Sequence, residues 1–194
     1  MTSLFARLKS GTEREHRDLE SVIDPMKNFC SRDTYKAHLL KTWALYRSLE
    51  AALAELDWST VGIDFSARRK TPLIEEDLRV LEVARPAWIG ATFAFMRSDL
   101  DFALGCLYVL EGATMGGQII SRHLAKLGIG PSNGGLFFNG YGAKTGEMWK
   151  SFQTAGTNYC VTEDQITEAV SGAKQTFGSF REAMHQEESV VHVA

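Results

Sequence analysis

The sequence predicts an all-α fold, a single domain built as a multi-helix bundle. Two features carry that expectation. Apolar residues recur at three- and four-residue spacing along most of the chain, and no stretch alternates apolar and polar residues as a half-buried strand does. No internal repeat or low-complexity block suggests a solenoid, so one core serves all 194 residues.

The first helix is expected from Leu4 to about Ser21, where Leu4, Phe5, Leu8 and Leu19 mark an apolar face opposite Arg, Lys and Glu residues. Asp24-Pro25 ends it. Ser31-Arg32-Asp33 reads as the cap of a second helix through Tyr35, Leu39, Trp43, Tyr46, Leu49 and Leu53, reaching roughly Leu56. Residues 57–72 read as a loop that carries an exposed basic patch, Arg68-Arg69-Lys70, before a helix start at Thr71-Pro72. A short helix over Glu75–Val83 follows, then a break at Arg85-Pro86 and a helix-like segment from Trp88 to Met96.

Asp99 to Leu127 is the longest helical pattern, and it contains Gly105, Gly112, Gly116 and Gly117. Each glycine costs about 0.5–1 kcal/mol relative to alanine inside a helix, so something must require the missing side chains. A glycine-rich connection over 128–140 leads to helices from Tyr141 to about Ala155 and from Thr162 to Gln186, the latter capped by Thr162 with acidic residues in its first turn. Residues 187–194 read as a flexible tail.

A net charge of −3 excludes the broad basic field of a nucleic-acid-binding protein. Cys30, Cys106 and Cys160 are odd in number and lack CxxC spacing, which argues against a disulfide framework and a zinc site and for a cytoplasmic protein. The N-terminus has no secretory apolar core. The longest apolar run, Phe102–Leu110, is about half a membrane span, so no membrane partner is expected.

His16 follows Leu8 and Thr12 on one stripe of the first helix. Neutral imidazole is a common axial ligand of heme iron, although a lone histidine on an apolar stripe also reads as a core residue with its hydrogen bonds met. Lys9, seven residues earlier, would lie two turns up the same face at about 10 Å, a separation that suits an iron ligand and a cation for a carboxylate rim; alone it reads equally as a solvated lysine. Gly105, Gly112 and Gly116 share a face where absent Cβ atoms let a flat ligand approach the backbone. Small-residue helix packing explains the same pattern equally well.

The segment Gly105-Cys-Leu-Tyr-Val-Leu-Glu-Gly-Ala-Thr-Met-Gly-Gly-Gln-Ile-Ile120 strongly resembles the distal helix of bacterial, biliverdin-producing heme oxygenases, of the bacteriophytochrome-associated kind. Thr12-Glu-Arg-Glu-His-Arg-Asp-Leu-Glu20 resembles the family's proximal helix, and Phe137–Gly142, Trp149, Phe152 and 173–180 agree. This resemblance implies the heme oxygenase fold and oxidative cleavage of heme, at once cofactor and substrate, to biliverdin, carbon monoxide and ferrous iron. Molecular oxygen would be consumed, with electrons from a ferredoxin or flavoprotein reductase and a phytochrome as an acceptor of the product.

It further implies that His16 is the proximal iron ligand and that Gly112, Gly116 and Gly117 form the kinked wall over the distal face. Tyr108 would line the pocket, while Lys9 and Lys150 would pair with heme propionates. Opening at the alpha carbon is implied by resemblance alone. Mammalian-type members carry an aspartate after the first distal glycine, where this chain has Ala113. The proton relay is therefore expected from Thr114, Gln118 or ordered water. A basic rim near Arg7, Lys9 and Arg14 would suit an acidic electron donor.

Ala113 also keeps open a heme carrier or sensor without turnover. A di-iron carboxylate bundle would use Glu13/His16 and Glu182/His185 with Glu50 and Glu111. A thiaminase-like enzyme would need a nucleophilic Cys106, which otherwise reads as a small core residue. His38, His123, Trp43, Tyr46, Trp88 and Phe177 read as structural.

Overall fold

Residues 3–23, 29–84 and 99–185 are described by the structure, a computed structural model. They form helices joined by turns, with no strand among them. The first expected helix is two: α1 over Leu4–Gly11 and α2 over Glu13–Val22. Thr12 separates them at φ −118°, its hydroxyl donating to the Leu8 carbonyl at 2.7 Å. That side-chain bond competes with the helix ladder and turns the chain.

Helix α3, Arg32–Ala54, starts where Ser31 predicts, through a reciprocal capping box with Thr34. Helix α4 runs Thr71–Val80 with Pro72 in its first turn. Its start is capped from a distance: the Glu50 carboxylate accepts the backbone N–H groups of Lys70 at 2.5 Å and Thr71 at 3.1 Å. The Trp88–Met96 segment, Asp24-Pro25, Arg85-Pro86 and the 187–194 tail lie outside the described residues.

Helix α5, Leu100–Ala125, opens on Asp99, whose carboxylate accepts the Phe102 N–H at 2.8 Å. Gly128, at φ 69°, reverses the chain after it, and Ile129 N–H returns to the Leu124 carbonyl at 3.0 Å. Then come a short α6, Leu136–Asn139, α7 over Thr145–Tyr159, and α8 over Glu163–His185. Asp77 of α4 caps α6, accepting from Leu136 and Phe137 at 2.8 and 2.7 Å.

Helices α5 and α8 form the central pair. A Cβ on Gly105 would run into the Ala169 carbonyl, and one on Gly172 into the Phe102 carbonyl, so the two backbones touch at this crossing. Gly105 therefore serves helix packing, the second of the two readings its sequence pattern left open. Helix α5 has the length and composition of a membrane span, yet its apolar residues Phe102, Leu104, Leu107, Val109 and Leu110 are buried in the bundle core.

The basic run at 68–70 is not the exposed patch its composition suggests, for of its three residues Arg69 alone is exposed. Arg68 and Lys70 are buried, 6 % and 1 % exposed, on Glu111 of α5 at 2.7 and 3.2 Å. Tyr141 donates to the same carboxylate at 2.6 Å, and Arg68 also donates to Met148 O and Ser151 Oγ. Burial pushes the Lys70 ammonium below its ordinary range, while Glu111 pulls it back.

Candidate active site

A cleft of about 390 Å³ opens between α2 and α5, both of which pack on α8. His16, Leu19 and Glu20 line it from α2, Ile23 from the residue that caps that helix, and Tyr108, Gly112, Ala113, Gly116 and Gly117 from α5. Its volume falls within the roughly 300–1,000 Å³ typical of sites for ligands of drug or cofactor size. The floor is apolar, made of Phe137, Phe138, Phe177 and Phe180, all in the hydrophobic core or packed against it. One end reaches α3 at His38, Thr42 and Tyr46.

His16 stands on α2 with its side chain 55 % exposed and its ring edge-on to Phe177, centroids 5.5 Å apart. Glu20, one turn later, places a carboxylate oxygen 3.4 Å from Nδ1. This contact orients the ring and leaves the other nitrogen for a metal. Across the cleft, a Cβ on Gly112 or Gly116 would meet nothing within 4 Å. These two positions thus present bare backbone to open space. Gly117 differs: its missing Cβ lets α5 settle against the Phe138 carbonyl, 3.1 Å from where that atom would stand.

Tyr108 lines the cleft and packs against Phe5 and Trp149, with burial raising its phenol above the ordinary range. Lys9 and Lys150 are exposed on α1 and α7, and neither lines the cleft. The break at Thr12 also removes the straight helix that would place Lys9 two turns from His16 on one face. On the proposed basic rim, Arg7 pairs with Glu163 at 2.8 Å and Arg14 with Asp18 at 3.8 Å.

Neither side chain expected to relay protons reaches the cleft. The Thr114 hydroxyl donates to the Leu110 carbonyl at 3.2 Å, and Gln118 donates to the Asn139 carbonyl at 3.5 Å. Each lies two residues, about 200° of helix, beyond a bare glycine and so faces away. His38, by contrast, read as structural from its residue type alone, lines the cleft while only 6 % exposed. Burial first, and then the Lys41 charge, hold it down to about 4, so its ring is neutral. Its Nδ1 is buried and has no hydrogen-bond partner among the described residues. Phe29 and Phe138 flank the ring at 4.8 and 6.3 Å. Tyr46 and Phe177 are both core and cleft wall. A signal for the α3 residues was present: His38, Thr42 and Tyr46 sit at i, i+4 and i+8, a polar stripe on an apolar helix.

The di-iron alternative fails on charge and placement. Glu50 caps α4, Glu111 is taken by Arg68 and Lys70, and among the described residues no three His, Cys, Asp or Glu side chains converge. Cys106 is buried, with its thiol pushed up to about 12 chiefly by burial, which removes it as a nucleophile.

Comparison with known proteins points one way. A family model described as Heme oxygenase matches residues 2–186. A heme oxygenase of Xanthomonas campestris pv. campestris is 28 % identical over 155 residues, covering 80 % of this chain and 91 % of the relative. Heme oxygenase PigA of Pseudomonas aeruginosa is 22 % identical over 182 residues, covering 93 % and 90 %. Among solved structures, the NO- and CO-bound heme oxygenase of Neisseria meningitidis superposes with a TM-score of 0.83 at 17 % identity, covering 95 % of this chain and 91 % of that one. The heme complex of heme oxygenase-1 from the cyanobacterium Synechocystis gives 0.73 at 15 %, covering 94 % and 91 %.

Proposed function

The chain belongs to the heme oxygenase family, an all-α family of heme-degrading enzymes, and from that premise we propose that this cleft holds one heme between α2 and α5 for cleavage to biliverdin. The observation that carries the assignment is the pairing of an available imidazole, His16, with two glycines, Gly112 and Gly116, whose absent side chains leave open space. Donor chemistry fits: an imidazole backed by a carboxylate is a good axial ligand for iron, and an apolar floor suits a porphyrin plane.

In this reading His16 would take the iron through the nitrogen that Glu20 leaves free, and Glu20 fixes the tautomer and the orientation of the ring. The bound heme supplies the redox chemistry, consuming molecular oxygen and electrons and releasing carbon monoxide and ferrous iron with the pigment. Bare backbone at Gly112 and Gly116 sets how closely α5 covers the distal face, Gly117 seats that helix on α6, and Tyr108 borders the same wall. The phenylalanine floor keeps bulk water from the ring. With Ala113 in the cleft and Thr114 and Gln118 turned away, protons arrive through ordered water rather than a carboxylate relay. Lys9 and Lys150, both exposed, would meet a propionate only beyond the cleft's lining.

A soluble ferredoxin or flavoprotein reductase is the proposed electron donor, and a phytochrome one acceptor of the pigment. Three free cysteines support a cytoplasmic setting, and two bacterial relatives support a bacterial one. Titration with hemin, then addition of reductant and air and chromatography of the pigment, tests the function. A histidine-ligated spectrum and biliverdin are expected from the wild type, and His16→Ala should lose both. Unchanged ligation and product in that variant would refute the role of His16, while a heme complex that yields no bilin would leave a carrier.

A further inference from the structure

We propose that His38 recognises the linear product, hydrogen-bonding to a terminal lactam group that the opened tetrapyrrole has and the closed ring lacks. The assignment rests on the heme-cleaving reading of the cleft and adds to it a residue that distinguishes product from substrate.

The cleft has two unlike ends. At the mouth stand His16 and Glu20, with side chains 55 % and 67 % exposed, and Ile119, 64 % exposed. At the far end His38, Thr42, Tyr46 and Phe138 are buried. Heme has two propionates on one edge and only hydrocarbon substituents on the opposite edge. Ionised carboxylates keep their water, so the propionate edge faces the mouth and the hydrocarbon edge faces His38.

A hydrocarbon edge offers an imidazole nothing to bond. Yet the α3 wall carries a neutral ring with a buried nitrogen that no described residue satisfies, among Phe29 and Phe138. The adjacent hydroxyl is committed, since Thr42 Oγ1 donates to the His38 carbonyl at 2.9 Å. Buried polar groups without partners are rare in native proteins and point to a bound one. Opening the ring at its inward edge creates two lactams there, each with a carbonyl that accepts and an N–H that donates. A neutral imidazole can then donate to the carbonyl or accept from the N–H, and because Nδ1 is sealed from solvent in this structure, the ring turns toward the cleft to make the bond.

The test is equilibrium titration of the apoprotein with hemin and, separately, with biliverdin, followed by tryptophan fluorescence, for wild type, His38→Leu and His38→Gln. His38→Leu should weaken biliverdin about tenfold, the scale of one buried hydrogen bond, and hemin less than about twofold; His38→Gln should recover most of the biliverdin affinity. Equal losses for both ligands, or no loss for biliverdin, would overturn the assignment. Should the variants not fold, ¹⁵N spectra of histidine-labelled wild type decide: the His38 ring nitrogens should shift with biliverdin and not with zinc protoporphyrin, and any other pattern refutes the contact. Wild type that binds hemin but not biliverdin sinks this proposal alone, whereas wild type that binds neither sinks the functional reading beneath it.

Discussion

Replacing Glu111 by leucine leaves two cations, Arg68 and Lys70, buried without their shared carboxylate. Both are nearly sealed from solvent, at 6 % and 1 % exposed, and removing one partner of a buried ion pair typically costs about 3–5 kcal/mol. Arg68 retains bonds to Met148 O and Ser151 Oγ, and Lys70 to Arg68 O and Tyr141 Oη, which holds the loss within that range. A domain of this size shifts its melting temperature by roughly 2–4 °C per kcal/mol, so Glu111→Leu should melt about 6–20 °C below wild type. Thermal and urea unfolding at pH 7 read the change. Because the pairs are buried, half-molar salt should hardly alter the difference. Combining Glu111→Leu with Arg68→Met and Lys70→Met should recover most of the lost stability. A single-variant loss under about 1 kcal/mol, the scale of an exposed surface pair, would show that the cluster does not hold α5 in place.

Two further expectations follow from the same structure. His38, held at about 4 in the fold against an unfolded value of 6.5, contributes stability that is complete above pH 6.5 and lost as pH falls toward 4, roughly 3 kcal/mol in all. Asp77, raised to about 6 by burial, acts in the opposite sense over much of the same window, so the quantity to measure is wild type minus His38→Leu, and a flat difference between pH 7 and 4.5 would contradict the burial argument. Gly105→Ala and Gly112→Ala should behave oppositely. The first forces α5 off α8 and should cost several kcal/mol in urea unfolding, the second should leave stability within about 1 kcal/mol while altering the heme spectrum, and similar effects from both would refute the division of roles.

Local chemistry made much of the fold legible. Ser31, Asp99 and Thr162 cap the helices that follow them because a side-chain oxygen meets an N–H two or three residues away, a relation the sequence contains outright. The break at Thr12 was hidden because Leu4, Leu8 and Leu19 keep a helical phase across it. Burial of Arg68 and Lys70 was hidden because their partner, Glu111, lies some forty residues away, and a basic run has no local mark of what will neutralise it. In the site, the glycine stripe left ligand approach and helix packing equally open, and the structure divides them, with Gly105 against a neighbouring backbone and Gly112 and Gly116 on open space, since one helical stripe can face a neighbouring backbone at one end and a cavity at the other. Thr114 and Gln118 were open to exclusion by phase alone, whereas the orphaned nitrogen of His38 depends on Phe29 and Phe138 closing around it.

The α5–α8 crossing at Gly105 and Gly172 has a mechanical meaning for the distal wall. Helix α5 is clamped there by backbone contact and again at Glu111 by paired charges, while from Gly112 onward it carries no side chain at two of its cleft-facing positions. Such a beam is fixed at its root and rests again on α6 at Gly117, so the bare stretch over the cleft is the short span between Glu111 and Gly117. A stiff planar guest and the puckered, longer molecule made from it can then be held in turn by small adjustments of that span, without disturbing the joint on which the rest of the bundle rests.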